Sequence, residues 1–116
     1  MNTLEIFEKL SMTAVTAADF DQKVLASESL NGVFFWGNNC PNCEQAKISL
    51  TTYEKEFRSL GLTWFQVNVY EESDLGTRFG LFGIPVFMFF KAGKKLGRIT
   101  PFPGFDEFYQ AISKLI

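Results

Sequence analysis

The chain has two cysteines, and they lie close together as Cys40-Pro41-Asn42-Cys43. An apolar run, Val33-Phe34-Phe35-Trp36, leads into them through Gly37-Asn38-Asn39, and a helix-forming segment, Glu44 to Leu60, follows. A strand that delivers a Cys-x-x-Cys to the first turn of a helix has a chemical purpose. The unpaired N–H groups of that turn and the positive end of the helix dipole stabilise negative charge. A thiol placed there gives up its proton more readily, and the thiolate is the form that attacks disulfides. Cys43 falls one turn further on, within reach of a small disulfide. Pro41 suits the first helical position, where its missing N–H would have been unpaired anyway.

Other uses of two cysteines are weaker. Zinc takes about four ligands, and with two Cys and no His the chain cannot close such a site alone. No metal is therefore expected. A structural disulfide belongs to oxidising compartments, and residues 1–10 do not read as an export signal, since they lack a basic start and Glu5 and Glu8 interrupt any apolar stretch, so a structural disulfide is not expected. Redox activity is the reading that remains.

The whole chain sets further bounds. With 116 residues and 47% hydrophobic content it is long enough for one packed core, and its 14 phenylalanines make that core aromatic. One domain over residues 1–116 is expected, with residues 1–11 as a loosely docked helical arm carrying Leu4, Ile6, Phe7 and Leu10. A net charge of −2 and the absence of a long basic cluster argue against nucleic acid or an anionic membrane as partner. The longest apolar run, Leu81 to Phe90, is half the roughly 20 residues needed to span a bilayer. A cytoplasmic monomer is expected.

Met12 to Val15 reads as a short strand. Thr16 reads as a cap whose hydroxyl accepts an N–H near Asp19, opening a helix that buries Phe20, Val24 and Leu25. Asn31-Gly32 reads as a turn. Val33 to Trp36, nearly continuously apolar, suits a central strand covered on both faces. The helix from Glu44 turns Ala46, Ile48, Leu50, Tyr53, Phe57 and Leu60 inward and leaves Glu44, Lys47, Lys55 and Arg58 to solvent, and Gly61 ends it. Thr63 to Tyr70 reads as a strand, Glu71 to Phe79 as an acidic-started helix stopped by Gly80. Val86 to Phe90 and Leu96 to Thr100 read as a hairpin around Ala92-Gly93, and Phe105 to Ile116 as a final amphipathic helix. The order is β-α-β-α-β-α-β-β-α, which predicts an α/β fold with a central mixed sheet and helices on both faces.

From about Met12 onward the chain resembles the thioredoxin family. The resemblance rests on Phe35-Trp36 before Cys40-Pro41-Asn42-Cys43, on Gly83-Ile84-Pro85, on the hairpin Phe90-Lys91-Ala92-Gly93-Lys94 and on the terminal helix. It implies the thioredoxin fold, with Cys40 as exposed nucleophile and Cys43 as the more buried resolving thiol. It also implies a cis Pro85 beside the pair and an extended substrate segment paired with the backbone of Ile84. Trp36, Pro41 and Asn42 would complete the substrate-contacting set. The implied partners are disulfide-containing proteins and an NADPH-dependent thioredoxin reductase, with no bound cofactor.

The chain also departs from the family pattern. Pro41-Asn42 stands where thioredoxins usually have Gly-Pro; a Cys-Pro-x-Cys resembles glutaredoxins and periplasmic oxidants, at roughly −230 to −120 mV against about −270 mV. Asn39 replaces a tryptophan, Phe34 a buried aspartate, Gln66 its lysine partner, and Pro101 a glycine. Two alternatives follow. One is a glutathione-linked, glutaredoxin-like exchanger, disfavoured by the strand and helix over Met12 to Ser27 and by the lack of a basic residue nearer Cys40 than Lys47. The other is a binding module of low turnover, favoured by Phe34 and by the apolar Phe102-Pro103.

Overall fold

A computed structural model describes residues 1–116. Five strands form one sheet: β1 (Met12–Ala14), β2 (Leu30–Trp36), β3 (Thr63–Asn68), β4 (Val86–Lys91) and β5 (Lys94–Ile99), in the spatial order β1-β3-β2-β4-β5. β3 runs parallel to both β1 and β2, while β4 is antiparallel to β2 and to β5. β2, the strand that ends at Trp36, is thus central, as its apolar run predicts. The helices are α1 (Thr3–Lys9), α2 (Pro41–Thr52), α3 (Glu54–Ser59), α4 (Ser73–Arg78) and α5 (Phe105–Ser113), with a π-helical segment at Asp21–Leu25.

Successive residues of a strand face opposite sides of a sheet, and β2 and β4 divide the core accordingly. Phe34, Trp36, Phe87 and Phe89 point to one side, where Phe7 of α1, Leu50 of α2, Phe57 of α3 and Phe108 of α5 pack on them. Val33, Phe35, Met88 and Phe90 point to the other, against Phe20, Val24 and Leu75. Phe34 and Phe87, partners across the β2–β4 ladder, stack with ring centres 4.6 Å apart. Helices therefore cover both faces of the mixed sheet, in the expected order from Met12 onward.

Five local expectations need correction. Asn31 and Gly32 lie within β2 rather than in a turn. Asn31 is buried with its amide donating to the Val24 carbonyl at 2.9 Å, and the Trp64 indole lies against Gly32, where a Cβ would overlap it. At the 16–26 segment, the hydroxyl of Thr16 donates rather than accepts. The Asp19 carboxylate receives both that hydroxyl, at 3.1 Å, and the Thr16 N–H, at 2.7 Å.

The long helix is two helices, separated at Tyr53. Thr51 and Thr52 donate their hydroxyls back to the carbonyls of Lys47 and Ile48, a bonding pattern that bends helices. Its inward face is also rotated from the expected one. The buried residues are Cys43, Ala46, Lys47 and Leu50, a helical i, i+3, i+4, i+7 stripe that begins at the cysteine. Lys47, expected in solvent, is 1% exposed, and Ile48, expected inside, is 63% exposed.

The N-terminal helix is held more firmly than a loosely docked arm. Asn2 and Glu5 cap it reciprocally, side chain to backbone N–H in both directions. Ile6, Phe7 and Leu10 are buried, with Phe7 against Phe34 and Trp36 at centroid distances of 6.1 and 5.3 Å. None of the helices is long and apolar enough to cross a membrane.

Candidate active site

The end of β2 and the start of α2 place the cysteines. The chain leaves the sheet after Trp36, turns through Asn39, whose left-handed φ of 57° an asparagine tolerates, and enters α2 at Pro41. Proline occupies the first helical position, as its sequence position predicts. Cys40 is the N-cap: its backbone is extended, and its Sγ accepts the N–H of Cys43 at 3.1 Å. The sulfur therefore lies where the helix terminus offers unpaired N–H groups and positive potential.

Cys40 and Cys43 are joined by a disulfide, with Cα atoms 5.2 Å apart. Cys43 is completely buried and Cys40 is 8% exposed, so the first cysteine is the one nearer solvent. The Sγ of Cys40 lies 3.7 Å from the carbonyl oxygen of Ile84. A reduced thiol at that distance could donate a weak hydrogen bond there. The Ile84–Pro85 bond is cis, as is Thr100–Pro101, the latter not foreseen from the sequence.

The other expected site residues surround this pair. Asn42 is fixed on both ends of its amide: Nδ2 donates to Gln45 at 2.9 Å, and Oδ1 accepts the Phe102 N–H at 2.9 Å. It therefore ties the start of α2 to the loop between β5 and α5. Pro85 has its carbonyl bonded by the Thr100 hydroxyl at 2.7 Å, so the two cis-proline loops are joined. Trp36 lies beneath the loop and is almost buried. Its Nε1 donates to Oε1 of Gln66 at 2.6 Å.

Four contributors escaped the sequence. Gly37 is needed because the Tyr70 ring and Ile84 side chain lie against its backbone, where any Cβ would collide. Tyr70 and Phe82 are exposed aromatics, Phe82 fully so, and with Leu81 and Ile84 they line a groove of about 540 Å³ beside the pair. Lys47, one helical turn after Cys43, is buried with its ammonium 4.3 Å from the centre of a Trp36 ring. Nothing in the local sequence pattern marks any of the four. No group of His, Cys, Asp and Glu is placed to hold a metal ion.

Comparison with known proteins agrees with this geometry. A family model described as Thioredoxin matches residues 11–114. A thioredoxin from Rhodospirillum rubrum is 33% identical over 85 residues, spanning 72% of this chain and 79% of that protein. A thioredoxin-like protein from Fusarium culmorum is 32% identical over 83 residues, 71% of this chain and 69% of that one. Among solved structures, the thioredoxin of Malassezia sympodialis superposes with a TM-score of 0.76 over 89% of each chain. At 20% identity that last likeness speaks to the fold alone. With its mixed sheet, its disulfide-capable Cys40–Cys43 pair and a family match running nearly its whole length, this chain belongs to the thioredoxin family.

Proposed function

We propose that the chain is a thiol–disulfide oxidoreductase that reduces or exchanges protein disulfides by cycling Cys40 and Cys43 between dithiol and disulfide. The observation that carries this reading is the arrangement of the pair. A disulfide spans the first turn of α2, its solvent-side sulfur faces the Ile84 carbonyl, and its partner sulfur is shut in the core.

The cycle starts from the reduced pair. The Cys40 thiolate attacks one sulfur of a substrate disulfide, forming a mixed disulfide and expelling the other substrate sulfur as a thiolate, which takes up a proton. Cys43 loses its proton and attacks the Cys40 sulfur. The Cys40–Cys43 disulfide forms, the second substrate thiol leaves, and two electrons have passed to the substrate. The helix terminus assists by holding negative charge at Cys40. A substrate segment lying along Ile84 could bond its backbone to the loop, as an added strand does. Trp36 supports the loop from below, while Pro41 and Asn42 form its rim. Return to the dithiol requires a two-electron thiol donor, for which an NADPH-dependent thioredoxin reductase is the family's expected partner. The cell compartment proposed is the cytoplasm, with the chain acting as a monomeric single domain.

The glutaredoxin-like alternative loses ground on one observation. Lys47, the lysine nearest the pair in sequence, is buried against Trp36 and bonded to Glu44, so it offers no charge to a glutathione carboxylate in solvent. The test of function is disulfide reduction on a protein substrate with dithiol as donor, comparing the parent with Cys40→Ser. Loss of at least about a hundredfold in rate is expected, because the serine hydroxyl is not ionised near neutrality. Equal rates for the two proteins would refute an enzymatic role and leave the binding-module reading.

A further inference from the structure

Lys47 is the one charged side chain that the fold buries. Its Nζ donates to Oε1 of Glu44 at 3.0 Å and to the Thr3 hydroxyl at 3.1 Å, and lies over Trp36 and, at 5.7 Å, over Phe7. The ion pair is oriented. Its lysine end is 1% exposed and its glutamate end 54% exposed, so the carboxylate is solvated and screened while the ammonium is not. Inward, the cation therefore prevails.

Cys43 and Lys47 stand four residues apart on the buried face of α2, a spacing that brings Cβ atoms to about 5–6 Å. Trp36, Phe7, Cys40 and Cys43 belong to the same buried cluster that the ammonium adjoins. Of the groups around it, Phe7 and Trp36 are uncharged and Gln66 bonds the indole, while Glu71 and Glu72 line the groove shared by Thr3, Phe7, Trp36 and Gln66 without pairing with Lys47. Glu44 is the only anion paired with Lys47.

We propose that Lys47 sets the redox balance of the Cys40–Cys43 pair, its buried ammonium favouring the negative charge of the reduced pair, with Glu44 tempering that effect. The inference rests on the oxidoreductase reading above. The disulfide carries no charge, whereas the reduced pair carries a thiolate for part of the time. A neighbouring cation lowers the free energy of that thiolate and so favours reduction. In exchange with glutathione, the protein disulfide and two glutathione thiols become the reduced pair and glutathione disulfide. Two electrons move to the protein, and one proton is released to buffer whenever one protein sulfur stays ionised. Through its bond to Thr3 the same ammonium also joins α1 to the site, and this makes it a positioning residue rather than a group that touches substrate.

The test is the equilibrium of the full-length protein with defined ratios of reduced and oxidised glutathione at pH 7, for the parent, Lys47→Met, Lys47→Arg and Glu44→Gln. Methionine fills similar space without charge, and its equilibrium is expected to move about tenfold toward the disulfide, or about 30 mV more negative. Arginine is expected to stay within about threefold of the parent. Glu44→Gln, altered at a half-exposed position that should leave folding intact, is expected to move several-fold the opposite way. A merely structural lysine would give no such opposed pair of shifts. Coincident equilibria, or shifts of the same sign for Lys47→Met and Glu44→Gln, would overturn the proposal; if the methionine variant fails to fold, an unshifted Glu44→Gln alone does so. Absence of any transition in the parent would instead bring down the oxidoreductase reading, and this inference with it.

Discussion

The indole N–H of Trp36 donates a 2.6 Å hydrogen bond to the side-chain oxygen of Gln66 across two neighbouring strands, both residues being nearly buried. The bond joins the last residue of the site-bearing strand to the middle of β3. It also gives a use to Gln66, which stands where the family pattern has a lysine. With Phe34 in place of the aspartate, these two positions of β2 and β3 carry an aromatic stack and a neutral hydrogen bond.

Gln66→Leu keeps the side chain's bulk but leaves the indole donor unpaired. A stability loss of about 1–3 kcal/mol is expected, the usual penalty for a buried polar group without a partner. Urea denaturation with an unchanged slope would report it as a shift in midpoint.

Much of this architecture was legible in the sequence because strong local rules agree with one another. The apolar run to Trp36, the Cys-Pro-Asn-Cys at a helix start, Gly61 and Gly80 after helices, and the Ala92-Gly93 turn all obey short-range chemistry. Both turn residues at 92–93 and both helix-ending glycines have positive φ. What was not legible depends on contacts between distant segments. Lys47 looks like a surface residue until α2 is docked with Cys43 facing the sheet. Gly32 looks like a turn residue until Trp64 is laid over it. Phe7 looks like part of a terminal arm until Phe34 and Trp36 are found to present an aromatic surface on which it packs. Tyr70 and Phe82 come together around the groove only in the folded chain.

The depth at which α1 is held can be measured. Phe7→Ala should cost about 3–5 kcal/mol, as truncation of a buried phenylalanine does, and should alter Trp36 fluorescence, since the two rings touch. A change under about 0.5 kcal/mol would mean that α1 contributes nothing to the core in solution.

The groove beside the pair makes a claim about substrates. Phe82 is fully exposed and makes no demand on folding, so Phe82→Glu should leave stability within about 0.5 kcal/mol. Its effect is expected on KM, raised several-fold for peptide disulfides flanked by bulky apolar residues and little changed for uncharged, glycine-rich ones. Steady-state kinetics on the two peptide classes would separate these outcomes.

Acid should weaken the contacts that Asp19 makes in the 16–26 segment. The Asp19 carboxyl is held below its usual value of 3.8, chiefly by the hydrogen bond from Lys23 and then by the Thr16 N–H. A depressed folded-state value means the contribution is present above the ordinary value and fades as pH falls through the folded one. Asp19→Asn should therefore lower stability near pH 6 and flatten its dependence below about pH 4. Parallel curves for the two proteins below that pH would contradict the assignment.

The most direct measurement of the central claim is a redox titration of Cys40–Cys43 against glutathione, followed by Trp36 fluorescence and by counting free thiols. The expected result is one reversible two-electron transition that disappears in Cys40→Ser. Its midpoint is expected between about −270 and −200 mV, nearer the upper end if Pro41-Asn42 and the Lys47 cation dominate. A pair that stays oxidised, or stays reduced, across the whole range would contradict the account.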